Sequence, residues 1–459
     1  MLYDFLKIEE PKSLGEINSW IKRNKEIDFS VLKTVSEIIE EVKKEGDGAV
    51  LKYSRKFDGI NVKSVQELKV RRGEIDSAGN KVRKKNPKLV EALEVSYKNI
   101  RQYHLTQFKK EPKSWYIYPN KGKKIGQVLT PIERVGLYIP GGRYLYPSSV
   151  LMAAVPAVIA GVKEIVVCTP PQKDGNIDDI FLYLFAKLGI NEVYKIGGAQ
   201  AIAALAYGTE SIKKVEKIAG PGNVFVTAAK KLVFGTVGID SLAGPSEIVI
   251  IADDNAKSAF VAADLLSQAE HGPDTKSILL ATSRELAEKV IAEIYDQIKE
   301  LMEIYRDRIN VDILVNSLQK NCKIFFCSSL NFIVDICNLI APEHLEIMTA
   351  DNEKVLEKIK NAGAIFVGDY TPVAIGDYIG GTNHIIPTDG NARFSSPLGV
   401  YDFLKKSSIA FYNYNMLKKE KEFIETLSDF ENLLAHNNSV KIRFADEPFS
   451  KTKKSKQVE

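Results

Sequence analysis

RVGLYIPGGRYLYPSSVLMAAVPAVIAGVKEIVVCT, residues 134–169, is the stretch from which the fold can be read. Residues 134–139 are a short apolar run of strand length, and Pro140, Gly141 and Gly142 make a turn. Residues 148–162 are nearly all apolar and long enough for a helix, and 164–168 form a second apolar run. Strands this apolar belong inside a sheet covered on both faces, and a helix between two of them is the crossover that parallel pairing requires. The rhythm continues through a helix at 180–188, a strand at 192–196, a helix at 199–207, a strand at 217–219 and a helix from Val224. A second alternating block follows. Its strands are 248–251, 277–281, 323–328, 345–348 and 364–367, and its helices are 256–270, 284–304, 330–340 and 352–360. Two blocks of similar rhythm predict two related α/β domains. Upstream, residues 29–55 carry helical periodicity through Val31, Val35, Ile38, Ile39 and Val42, residues 87–108 form a long amphipathic helix, and 115–129 read as strand and turn. The first 25 residues read as an arm. Beyond Asp377 the chain turns Gly- and Thr-rich and then helical, which reads as a small C-terminal domain.

The chain has 459 residues, too many for one ordinary core. With 63 basic and 59 acidic residues the net charge is +4, which gives no electrostatic reason to expect nucleic acid or a membrane surface as partner. The one basic run, Lys451, Lys453, Lys454 and Lys456, reads as a solvated, disordered tail. Four scattered cysteines (Cys168, Cys322, Cys327, Cys337) form no CxxC pair, sit near apolar runs and fit a reducing compartment. The N-terminus lacks a basic start followed by an apolar core, and the apolar stretch 150–162 holds Pro156 and is too short to span a bilayer. A cytoplasmic protein is expected.

Five histidines carry most of the chemical possibilities. His104 follows an ordinary helix pattern and reads as structural. Gln268 and His271 share a helix face at i, i+3, and an amide oxygen with an imidazole suits a borderline metal such as zinc, although a lone histidine near a helix end is more often a cap. Glu343 and His344 are adjacent in a connection after a helix, where two proton acceptors of different pKa could face one cleft; the bland alternative is an exposed polar turn. Gly376-Asp377-Tyr378 and Gly380-Gly381-Thr382-Asn383-His384 form a Gly-rich polar loop that admits close approach of a ligand, or is simply flexible. Glu431 and His436 by themselves read as an exposed helix end. Gly197-Gly198-Ala199-Gln200 and Gly220-Pro221-Gly222-Asn223 each follow a strand and open a helix, where phosphates bind in α/β sheets, but neither is a GxGxxG fingerprint and tight turns need glycine anyway.

Together these pieces resemble the histidinol dehydrogenase family. IDSLAGPSEIVIIADDNAKSAFVAADLLSQAEH (239–271) matches the family signature. RVGLYIPGG (134–142), YPSSVLMAAVPA (146–157), GGAQAIAALAYGTE (197–210), GPGN (220–223), APEHLEI (341–347), GDY (376–378) and GTNHIIPT (381–388) fall in the family's order, so the resemblance runs from about residue 20 to about 445. It implies a zinc site of Gln268, His271, Asp377 and His436, with Glu343 and His344 as the acid–base pair. It places substrate contacts at Ser246, Gln268, His271, His344, Asp377, His384, Glu431 and His436, and NAD contacts at Tyr138, Gln200 and Asn223. It further implies a homodimer in which Glu431 and His436 are lent across to the neighbouring subunit.

The expected fold is therefore α/β, with two Rossmann-like parallel-sheet domains, a small N-terminal arm (1–25) and a small C-terminal domain (379–445). Residues 26–130 and 248–378 make the first Rossmann-like domain, 131–247 the second, NAD-binding one, and 446–459 the tail. The family reaction oxidises L-histidinol to L-histidine through the aldehyde with two NAD. Water activated by Glu343 is preferred over Cys337 as the nucleophile on the aldehyde, because an apolar setting raises a thiol's pKa. A paralogue acting on another primary alcohol would lack the imidazole contacts Glu431 and His384, and a dead relative serving as a binding module would lack Glu343 or His344; all four are present.

Overall fold

A computed structural model describes residues 5–22, 28–111, 113–141 and 145–445. The basic tail and the start of the arm lie outside the described residues, as does Gly142 of the first turn. Two parallel sheets dominate. The five-stranded one runs, in spatial order, Glu192–Lys195, Glu164–Thr169, Arg134–Tyr138, Lys217–Ala219 and Gly238–Ile239. The six-stranded one runs Ile8–Glu9, Cys322–Phe326, Lys276–Ala281, Glu247–Ala252, His344–Met348 and Ala364–Val367. Numbered along the chain within each block, both have the order 3-2-1-4-5 of a doubly wound half, and the N-terminal arm adds one edge strand to the second sheet.

Period-two alternation explains why both sheets are covered on both faces. In Glu247–Ala252, Ile248, Ile250 and Ala252 enter one core while Val249 and Ile251 enter another. Likewise Val135, Leu137 and Ile139 face one side of the five-stranded sheet while Tyr138, Val166 and Cys168 face the other. The helix Pro147–Ala160, called for by its continuous apolar run, is buried along most of its length, as a crossover helix wedged against a sheet must be.

The helices of the first hundred residues pack differently from the grouping expected. Val35, Ile38, Ile39 and Val42 of Phe29–Glu45 share a core with Tyr194 and Ile202, and Ile75, Val82, Leu93 and Ile100 share one with Leu137 and Phe181. Residues 29–110 thus cover the five-stranded sheet rather than the six-stranded one. Periodicity marks an apolar stripe but carries no record of which sheet receives it. The helix Val311–Asn321 was not foreseen; its Leu314 and Leu318 join the core beside Ile324.

The chain divides into two compact units, 1–110 with 131–404 and 111–130 with 405–459. The second contains a three-stranded sheet in the order Leu404–Tyr412, Lys123–Pro131, Trp115–Asn120, and the helices Tyr414–Phe430 and Leu434–Lys441. Within it Lys123 pairs with Glu420 at 3.1 Å, and Tyr412 donates to the same carboxylate at 2.8 Å. Among the described residues no helix is long and apolar enough to cross a membrane.

Arg134 ties the bottom of the five-stranded sheet. Its buried guanidinium forks onto Glu192 at 2.8 and 2.9 Å and reaches Glu164 at 2.7 Å, joining the first residues of three neighbouring strands. Breaking a fully buried pair costs about 3–5 kcal/mol; because both glutamates are partly exposed, Arg134→Leu is expected to lower stability by about 2–3 kcal/mol, measured by urea unfolding. A loss within error of zero would show that the fork does not stabilise the sheet.

Candidate active site

The helix Leu330–Ile340 ends at Ala341, a non-glycine residue at φ 54°, and this left-handed turn leads through Pro342 to Glu343 and the strand His344–Met348. Both Glu343 and His344 are buried, at 7 % and 6 % exposure, so the exposed-turn alternative is set aside. Both address the backbone of Glu247, the first residue of the adjacent strand. Glu247 N–H donates to Glu343 Oε2 at 2.8 Å, and the Glu247 carbonyl lies 3.1 Å from His344 Nδ1. A carbonyl only accepts, so Nδ1 carries the proton and Nε2 of the neutral ring is left as a proton acceptor. Ser246 Oγ donates to the same Glu343 oxygen at 2.6 Å.

Burial moves the two groups in opposite directions. It pushes the Glu343 carboxyl up to about 8, against the donors Ser246 and Glu247 and with the help of the negative charges of Asp377 and Asp389. It pushes His344 down, against the charge of Asp377 and the bond to Glu247. The result is a neutral imidazole beside a carboxyl that holds its proton near neutral pH.

Asp377 lies in the turn Ile375–Ile379, its carboxyl raised by burial and opposed only by the charges of His344 and His271. His384 Nδ1 stands 3.6 Å from Asp377, and its Nε2 is 3.3 Å from Ser149 Oγ in the first turn of the helix Pro147–Ala160. Burial lowers His384 to about 4. Gln268 is 2 % exposed, and its Nε2 has no hydrogen-bond partner. The helix carrying it ends at Ala269, so His271 sits in the following turn, exposed, with its N–H 3.4 Å from the Gln268 carbonyl, rather than on the helix face. Glu431 and His436 are exposed in the second unit, just after one helix and within the next. Among the described residues no three His, Cys, Asp or Glu side chains form a metal-holding group. Cys337 is buried in the core with its thiol pushed up by burial, an unreactive setting.

The residues expected to meet NAD lie at the C-terminal edge of the five-stranded sheet. Tyr138 ends its first strand, Gln200 stands in the first turn of Gly198–Tyr207, and Asn223 caps Val224–Val233 by accepting from Phe225 and Val226 N–H. Tyr138 OH accepts from Gly198 N–H at 3.1 Å, and a Cβ at Gly220 (φ 119°) would run into the Tyr138 carbonyl, so that turn admits only glycine. Gln200 is fully buried, with its Oε1 unpartnered.

Two supporting residues were not assigned to the site from the sequence. His104, read as structural, is buried and accepts through Nε2 from Asn383 Nδ2 at 3.2 Å, while Nδ1 donates to Gln107 at 3.0 Å; it thus holds the residue beside His384. Asp58 accepts from Gly197 N–H and Gln200 Nε2, both at 3.2 Å, at the cofactor edge. Neither lies in a motif, and only the spatial contact reveals them.

Two doubly wound sheets, with a buried glutamate–histidine pair at the N-terminal edge of the six-stranded one, define an α/β protein whose buried pair has the chemistry of a proton acceptor and donor. The family described as histidinol dehydrogenase matches residues 21–444. A histidinol dehydrogenase of Oceanobacillus iheyensis is 45 % identical over 440 residues, covering 96 % of this chain and 98 % of the relative. One from Methanococcus maripaludis is 44 % identical over 429 residues, covering 93 % and 97 %. The crystal structure of histidinol dehydrogenase from Elizabethkingia anophelis superimposes with a TM-score of 0.86 at 35 % identity, covering 96 % of this chain and 98 % of that one. The chain belongs to the histidinol dehydrogenase family and is an oxidoreductase.

Asp58 supplies a pH test of the cofactor edge. Burial raises its carboxyl from 3.8 to about 6, so between those values the folded state binds more protons than the unfolded chain. Its contribution to stability is present below 3.8 and lost as the pH rises through about 6. Asp58→Asn, which keeps an acceptor for Gly197 and Gln200, should therefore gain stability relative to the parent between pH 4.5 and 7.5 in urea titrations. An unchanged difference across that interval would mean the carboxylate is not held out of water.

Proposed function

We propose that the chain oxidises L-histidinol through L-histidinaldehyde to L-histidine in the cytoplasm, using zinc and two NAD in turn. The observation that carries this reading is the Glu343–His344 pair on the Glu247 backbone, one group tuned to accept protons through Nε2 and the other kept close to its protonation point. His344 Nε2 takes the hydroxyl proton as the alcohol becomes the aldehyde. Glu343, once ionised, takes a proton from the water that adds to the aldehyde carbon while His344 returns its proton to the aldehyde oxygen, and the neutral His344 then takes the hydroxyl proton of the resulting diol in the second oxidation. NAD supplies the hydride acceptor for each oxidation. Gln268, His271, Asp377 and His436 would hold zinc, which would supply a template that orients the substrate.

The residues fit these groups. Gln268, His271, Asp377 and His436 offer amide, imidazole and carboxylate donors of the kind zinc takes. A buried Asp377 carboxyl with only histidine charges acting on it is what a cation would relieve. Ser246, His384 and Glu431 complete the proposed substrate contacts, and Tyr138, Gln200 and Asn223 the proposed cofactor contacts. Four free cysteines suit the cytoplasm.

A homodimer with shared sites is supported by the second unit's apolar exposure. Phe423, Leu427, Phe430 and Leu434 are each more than half exposed, and so many on a small unit mark an interaction face. Complementation tests the sharing. Glu343→Gln and His436→Ala chains, each deficient in histidine formation alone, should regain histidine formation when co-assembled, because one site of the mixed dimer is then intact. No recovery in a verified heterodimer would place His436 in its own subunit's site.

Glu343→Gln should still form the first NADH but lose the aldehyde step by roughly 10²–10⁴-fold, whereas His344→Asn should lose both steps. Because the base must be ionised, aldehyde oxidation in the parent should gain rate as the pH rises toward about 8. Two NADH per histidinol from Glu343→Gln at the parent's rate would refute the assignment.

A further inference from the structure

We propose that Lys276, Glu247 and Asp389 form a positioning cluster that holds the Glu247 backbone, and through it both Glu343 and His344, in working geometry. This rests on the roles proposed for that pair. Strand register creates the arrangement. On one side of the strand Glu247–Ala252, Lys276 pairs opposite Glu247, with Lys276 N–H donating to the Ser246 carbonyl at 3.1 Å. On the other side His344 pairs opposite Ile248. The backbone of Glu247 faces the acid–base pair, while its side chain turns to Lys276 and Asp389.

The side chain is held from two directions, by groups that also pair with each other. Lys276 Nζ lies 3.4 Å from Glu247 Oε2 and 2.9 Å from Asp389 Oδ1, and Asp389 N–H donates to Glu247 Oε1 at 3.1 Å. Asp389 reaches this position at φ 53°, a left-handed backbone that aspartate, unlike most side-chain-bearing residues, adopts in turns. Gly244 makes the space, since a Cβ there would collide with the Asp389 carboxylate, and its N–H is taken by Thr388 Oγ1. The segment Gly244-Pro245-Ser246-Glu247 thus acquires a physical reading. Gly244 admits Asp389, Ser246 donates to Glu343, and Glu247 anchors Glu343 by N–H and His344 by C=O.

Charge makes the cluster consequential. Glu247 is buried, and its carboxyl is pushed up to about 7 by burial, against Lys276 and with Asp389 and Glu343 adding negative charge. Lys276 is the cation that permits two carboxylates to sit beside the Glu343 carboxyl. Without it, Glu247 must take up a proton or move, and a shift of the order of an ångström at this peptide is enough to spoil proton transfer.

The test uses the full-length, zinc-loaded enzyme with Lys276→Met, Lys276→Arg and Asp389→Asn. Steady-state kinetics are combined with ¹⁵N spectra of the five histidines, which report the His344 tautomer. Lys276→Met should lower kcat by about tenfold or more with KM for histidinol changed less than about threefold, Lys276→Arg should recover much of it, and Asp389→Asn should fall between. His344 should pass from a pure Nδ1–H form to a tautomer mixture. A merely structural cluster would lower the melting temperature and leave the tautomer alone. If Lys276→Met does not fold, Asp389→Asn decides. Folded variants with kcat within about twofold of the parent and an unchanged tautomer would overturn the proposal, and Glu343→Gln in parallel separates that outcome from failure of the acid–base assignment itself.

Discussion

The backbone of one residue, Glu247, holds the proposed acid–base pair. Its N–H donates to a Glu343 carboxylate oxygen and its C=O accepts from the His344 imidazole, so two adjacent side chains that would otherwise diverge are aimed by the two peptide groups that flank a single Cα. Because that residue opens a central strand, its position is set by the strands on both sides. Burial then separates the two groups, raising the glutamate and lowering the histidine.

The two sheets share a strand order but use opposite edges. In the five-stranded sheet the proposed cofactor residues stand at the C-terminal strand ends, where glycine turns expose backbone N–H groups and helices begin. In the six-stranded sheet Ser246, Lys276 and His344 stand at the N-terminal ends, where side chains rather than helix dipoles do the work. Ser149, at the start of the helix Pro147–Ala160, reaches His384, which in turn stands by Asp377, so the first unit brings both edges to one region.

Strand and helix alternation was legible because each strand is a near-continuous apolar run, as in residues 164–169 and 247–252. The proposed site residues come from the family's motifs, above all Ser246 and Glu343–His344. What was not legible is what register and tertiary packing decide. Nothing in the local pattern says that the stripe of Phe29–Glu45 packs under Tyr194, that Lys276 pairs with Glu247, or that Asp389 turns left-handed to join them. His104 illustrates the same limit: a helical histidine reads as structural, and only its bond to Asn383 ties it to the site.

The most direct measurement is the number of NADH formed per L-histidinol consumed, taken on the purified enzyme before chelation, after it, and after zinc is returned. The account predicts two NADH, loss of turnover on chelation and recovery with zinc. A single NADH with free aldehyde, or turnover indifferent to chelation, would contradict it.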